Sequence, residues 1–146
     1  MTTIGTSLTA GPERARRLLS LAGRGLLGVY FILPGVMKIT GYAGTAEYMA
    51  DHGVPLIALL LPLTIAIQIV GGVALVIGWR TQITAFVLAG LTLVISLFMH
   101  DFWTMEAGLQ QAHETQNFVK NLAIMAGLLF VAGSPPAPHG DVVDAS

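Results

Sequence analysis

Leu56–Gly78 reads LIALLLPLTIAIQIVGGVALVIG, 23 residues in which Thr64 and Gln68 are the only polar side chains. As a helix this stretch is about 34 Å long at 1.5 Å per residue, enough to cross a hydrocarbon core of about 30 Å. Pro62 is tolerable inside such a span when neighbouring helices satisfy the carbonyl it frees. The stretch sits in a gap of 28 residues without formal charge, from Asp51 to Arg80. Two further gaps of 20 residues each follow, from Arg80 to Asp101 and from Lys120 to Asp141. The whole chain of 146 residues is 54% hydrophobic and only 10% charged, against about 25% charged in a typical soluble domain. It cannot cover a globular surface in the usual way, and a polytopic membrane protein is the class expected.

The same composition excludes other classes. A net charge of -1, with seven Lys and Arg spread along the chain, provides no basic patch for nucleic acid. With no cysteine there is no disulfide framework, thiol relay, cysteine nucleophile, thiolate-held iron–sulfur cluster or Cys-type zinc site.

Working outward from Leu56–Gly78, the fold class expected is all-α, a four-helix transmembrane bundle over 14–133 with spans at about 18–37, 56–78, 83–100 and 118–132. Segments 1–13 and 134–146 lack apolar periodicity and are expected to be disordered. The run 18–37 starts after Arg14, Arg16 and Arg17, as a cleaved leader would. Arg24 splits its apolar core, however, and no small-x-small site follows directly, so it is read as a span. Between the first two spans, 38–55 reads as a short amphipathic interfacial segment. It carries Tyr42, Ala46 and Met49 on one face and Glu47 and Asp51 on another, and His52-Gly53-Val54-Pro55 stops it.

Lys and Arg near span ends set orientation. Arg14, Arg16, Arg17 and Arg80 lie on one side, Lys38 and Lys120 on the other, which predicts both termini in the cytoplasm. Ala85/Ala89 and Ala123/Gly127 meet the small-xxx-small pattern of close helix approach, whereas Gly28/Ile32 does not. Arg24 and Gln68 are expected to be polar residues of helix packing, Gln68 by interhelical hydrogen bonding. With no Asp or Glu expected inside any span, a proton relay through the bilayer has no residues to use.

Polar side chains gather on the expected outer face. Lys38, His100, Asp101, Trp103, Asn117, Lys120 and Asn121 are the candidates for a shallow ligand pocket there, since ionisable groups at membrane depth usually face a cavity. The plainer account is a set of loop residues in water and headgroups, with lysines snorkelling. His100, Asp101, His113 and Glu114 have the ligand types of a zinc, iron or manganese site, but their spacing matches no standard motif. A haem would need histidines on two facing helices, and only His100 lies near a span. A quinone headgroup needs donors beside aromatic walls, which His100, Lys120, Asn121 and Trp103 could supply, although a lipid headgroup would use the same residues.

Taken together, several short motifs resemble the DoxX family of small bacterial membrane proteins. They are Arg24, Gly35-Val36-Met37-Lys38, Tyr48-Met49, His52-Gly53-Val54-Pro55, Gln68 with Gly71-Gly72, Gly78-Trp79-Arg80, His100-Asp101-Phe102-Trp103 and Asn117-Phe118-Val119-Lys120-Asn121. The resemblance spans about residues 18–133. It implies a four-helix inner-membrane protein and, because the family takes its name from a subunit linked to quinone-dependent thiosulfate oxidation, a redox setting. Gln68 stands where many relatives carry a glutamate, so any charge or proton handled there is absent from this chain.

The function expected is thus a non-catalytic subunit or accessory of a quinone-linked redox assembly, with lipid and redox-enzyme subunits as partners and quinone as the candidate cofactor. A homo-oligomer is compatible with the sequence. The rivals are a stand-alone binder or transporter of lipids or small molecules, and a metal-dependent membrane oxidoreductase using the His/Asp/Glu cluster.

Overall fold

The computed structural model of the chain describes residues 10–135. Positions 1–9 and 136–146 lie outside the described residues, and with them most of the two segments expected to be disordered. Five helices follow in order: α1 (Ala10–Thr40), α2 (Tyr42–Asp51), α3 (Ile57–Ile77), α4 (Thr81–Met99) and α5 (Leu109–Gly133), with a 3-10 turn at Phe102–Thr104 before α5. There is no strand among the described residues. All but α2 are long and apolar enough to cross a membrane.

The helices begin and end where backbone chemistry, rather than hydropathy, dictates. α1 starts at Ala10, so the last part of the expected lead, 10–13, is helical. Pro12 sits in the first turn, where its missing N–H would have had no helical partner, and Glu13 lies at the favourable end of the dipole. The apolar turns that follow supply the costly nucleus, and adding residues to it is cheap. Pro34-Gly35, which looks like a break, lies inside the helix.

The larger departure is α5, which begins at Leu109, nine residues before the expected span at 118. LQQAHETQN is polar but contains no helix breaker, so helix and hydrophobic span have different starts. Glu114 therefore lies within a long membrane-class helix, contrary to the expectation that no carboxylate would.

Arg24 packs its guanidinium against Gly78 at the end of α3, while Gln82 at the start of α4 donates to the carbonyl of Ser134 just past α5. Successive long helices thus run up and down, with α2 and the 3-10 turn at one end of the bundle and the start of α4 and the end of α5 at the other. The core is two apolar clusters. Phe31, Leu75, Ala85, Leu88, Ala89 and Leu128 join all four long helices. Met49, Leu61 and Ile65 hold α2 onto α3. Outside them the surface is apolar, with Leu26 at 74%, Phe86 at 66% and Phe130 at 79% exposure, which is how a lipid-facing surface is built.

Lipid-exposed helices gain little from hydrophobic burial, so close packing carries the association. α1 and α3 meet at a glycine pair. A Cβ added at Gly28 would lie 2.5 Å from the Gly72 carbonyl oxygen, and one added at Gly72 would lie 2.6 Å from that of Gly28. Seven residues further along α1, a Cβ at Gly35 would meet Ile69 Cγ1 at 2.7 Å. Ala85 and Ala89 are buried, as small contact residues should be. Ala123 is exposed, and Gly127 faces open space, so this second pair marks no contact within the bundle.

Candidate functional site

In the half of the bundle nearer α2, the four long helices part around a cavity of about 150 Å³. α1 contributes Tyr30, Phe31, Pro34 and Lys38, α3 contributes Gln68, and α4 contributes Thr92 and Ile95. His100, just past α4, and Lys120 and Asn121 of α5 complete the lining. Tyr30, Pro34 and Lys38 are spaced at four-residue intervals, so one stripe of α1 presents all three.

The α5 wall is a connected polar network. His100 Nδ1 lies 2.7 Å from Glu114 Oε2. One proton lies between these two atoms, so Nε2 is the ring nitrogen left for a ligand. Glu114 is only 6% exposed and receives two further hydrogen bonds, from Asn117 Nδ2 at 3.3 Å and Gln110 Nε2 at 3.3 Å. Asn117 Oδ1 in turn accepts from Lys120 Nζ at 3.1 Å. A buried carboxylate is held by this many donors because leaving it unpaired would be costly. Across the cavity, Tyr30 donates its hydroxyl to Asn121 Oδ1 at 3.1 Å, linking α1 to α5.

On α4, Thr92 and Ser96 are buried but satisfied, each donating to the carbonyl four residues earlier at 2.7 Å. Gln68 differs. It is 4% exposed, and its Oε1 has no hydrogen-bond partner. The interhelical bond expected of it is not made, because the side chain ends at the cavity wall rather than at a facing helix.

Beside the cavity, α2 supplies a second polar group. Tyr48 donates to the Met99 carbonyl at 3.4 Å, its ring 4.2 Å from that of His52 between centroids. His52 Nε2 lies 3.8 Å from Asp101 Oδ1. Burial holds the Tyr48 phenol above its ordinary pKa of 10.0, reinforced by the negative charges of Glu114 and Asp101.

Of the seven pocket residues named from sequence, Lys38, His100, Lys120 and Asn121 share the cavity lining. Asn117 stands behind it, between Glu114 and Lys120. Asp101 points instead to His52 and Thr104. Trp103 is 53% exposed and stacks edge-on against Phe102 and Phe118. Tyr30 and Thr92 were not foreseen, although the four-residue spacing of Tyr30 to Lys38 could have found the tyrosine.

The four metal-ligand candidates do not converge. His100 and Glu114 pair, Asp101 leaves with the 3-10 turn, and His113 is exposed. Neighbours such as His113 and Glu114 diverge by about 100° on a helix. Among the described residues no three His, Asp or Glu side chains could hold one ion.

Arg24 lies at the opposite end. Its guanidinium nitrogens are 2.9 and 3.0 Å from where a Cβ would stand on Gly78, the left-handed residue that ends α3 at φ 78°. A cation there meets the negative end of the helix dipole, so Arg24 helps α1 and α3 pack.

The DoxX family pattern matches residues 19–101. The chain is 37% identical over 119 residues to inner membrane protein YqjF of Escherichia coli (strain K12), covering 82% of this chain and 85% of that one. It is 30% identical over 122 residues to inner membrane protein YphA of the same organism, covering 84% and 86%. No solved structure matches it. α5, which supplies Glu114, Asn117, Lys120 and Asn121, lies beyond the matched family segment. Long, lipid-facing helices, a family match over more than half the chain and two inner-membrane relatives of the same extent lead to one conclusion: this chain belongs to the DoxX family and is a multi-pass protein of the inner membrane.

Proposed function

We propose that the protein is a non-catalytic accessory of a quinone-linked redox assembly, holding the headgroup of a membrane-soluble ligand in the four-helix cavity. Both termini lie in the cytoplasm in this reading, which places the cavity in the outer half of the bilayer. The observation that carries it is the cavity itself, where polar groups from all four long helices and His100 meet beside Phe31 and Tyr30. Donors at membrane depth beside aromatic walls are what a quinone carbonyl requires. Below the cavity, Leu75, Leu88 and Leu128 are fully buried, an apolar layer that argues for a binder rather than a transporter with a continuous polar path. The redox setting is supported by family resemblance alone.

The test is extraction of the untagged protein in mild detergent, followed by mass spectrometry of copurifying quinones, lipids and proteins. Quinone or a lipid should accompany the wild-type chain near one per protein, together with redox-enzyme subunits. Lys38→Ala removes a donor of the charge-assisted kind, worth about 1.5–3 kcal/mol, so its ligand content should fall about tenfold or more. Wild-type protein free of quinone, of stoichiometric lipid and of redox subunits would overturn the reading.

A further inference from the structure

Lys38 of α1 and Lys120 of α5 both line the cavity, and no carboxylate does. Among the described residues Asp101 lies against His52 and Glu114 against His100, and no ion pair includes either lysine. Lys120 has only the amide oxygen of Asn117. Like charges on two residues lining one small space repel each other, and charges at membrane depth are expensive without a counter-charge. A neutral headgroup supplies none.

Gln68 adds an independent requirement. It is more than nine-tenths buried, lines the same cavity, and leaves Oε1 without a donor. A buried acceptor without a partner is costly, so an occupant matched to the site brings a hydroxyl as well as a negative charge.

We infer that the cavity holds a headgroup pairing a phosphate oxyanion with a neighbouring hydroxyl, the oxyanion between Lys38 and Lys120 and the hydroxyl at Gln68. Lysine suits this role as a point charge that binds phosphate without a fixed fork geometry. The inference rests on the proposal that the cavity is a headgroup site, and it replaces the neutral quinone by an anionic hydroxylated group as the preferred occupant. The same chemistry is offered from the bilayer by phosphatidylglycerol and from water by glycerol 3-phosphate.

Native mass spectrometry of the full chain in mild detergent can separate these possibilities. Phosphatidylglycerol, zwitterionic phosphatidylethanolamine and decylubiquinone are added in turn, and phosphatidylglycerol is also challenged with excess glycerol 3-phosphate. One phosphatidylglycerol per chain is expected, about tenfold tighter than phosphatidylethanolamine, which is the ratio that ~1.4 kcal/mol sets. The preference should vanish in the Lys38→Gln/Lys120→Gln double variant and persist in Lys38→Arg/Lys120→Arg, which keeps the charge. It should also persist in Arg14→Gln/Arg17→Gln, which removes charge at the other end. Gln68→Leu should weaken phosphatidylglycerol severalfold with both lysines in place. Displacement by glycerol 3-phosphate would assign the ligand to water, and resistance to it would assign the ligand to the bilayer; both support the oxyanion site. Tight decylubiquinone binding with no lysine-dependent lipid preference would overturn the inference and leave the headgroup reading standing. Binding of none of the probes would overturn both.

Discussion

Tyr48 shows how one side chain reports on the polar network beside the cavity. Its phenol is raised above 10.0 first by burial and then by the charges of Glu114 and Asp101. Glu114→Gln removes one of those charges, so the Tyr48 pKa should move down toward 10.0. A tyrosinate absorbance titration, with Tyr48→Phe subtracted to remove Tyr30 and Tyr42, measures this; an unchanged midpoint would break the assigned coupling. The stability effect has a definite sign. A phenol whose folded pKa is raised favours the protonated folded state, so its contribution is complete below about 10 and is lost as pH rises through the folded value. Alkaline unfolding should therefore be shallower in Tyr48→Phe than in the wild type. At this scale the sequence was partly legible. Polarity at span ends named Lys38, His100, Lys120 and Asn121, which do share a cavity. It could not show that Asp101 turns to His52, because that depends on where α4 stops, nor that Gln68 ends at a void, because that depends on what faces it.

Between elements, the decisive contact is the α1–α3 crossing at Gly28 and Gly72. Scanning one helix at a time for small residues four apart passes over Gly28, because here each helix contributes one glycine and the match exists only across the pair. The same scan selects Ala123/Gly127, whose surroundings are open. Substitution distinguishes the two sites by sign. Gly28→Val drives a branched side chain into the Gly72 backbone, where no flexible atom can yield, and should cost about 1–3 kcal/mol or more as overpacking. Gly127→Ala meets nothing within 4 Å and should be neutral or stabilise by up to about 1 kcal/mol, since alanine is the better helix former. Thermal unfolding in mild detergent should thus show a lowered midpoint for the first and an equal or higher one for the second. Equal losses at both positions would mean that the α1–α3 crossing is not what holds the bundle. Helix number was legible because charge gaps of span length are conspicuous. The start of α5 was not, because polar residues with good helix propensity extend a helix without extending its hydrophobic stretch.

For the whole molecule, the direction of the bundle in the bilayer is read from where its cations lie. Arg14, Arg16 and Arg17 lie in the first turns of α1, and Arg80 lies in the turn between α3 and α4, at the same end of the bundle. At the other end lie Lys38, which closes α1, and Lys120 of α5, which lines the cavity. The positive-inside rule counts residues near span ends, so four cations against two favour cytoplasmic termini. A chain without cysteine allows the reading to be tested without a background. Glu106 is exposed between the 3-10 turn and α5, and Pro135 is exposed just past α5. In intact spheroplasts, a membrane-impermeant maleimide should label Glu106→Cys and reach Pro135→Cys only after permeabilisation. The reversed pattern would put the cavity in the inner leaflet, within reach of cytoplasmic glycerol 3-phosphate. The orientation therefore also decides which source of phosphate the site could meet.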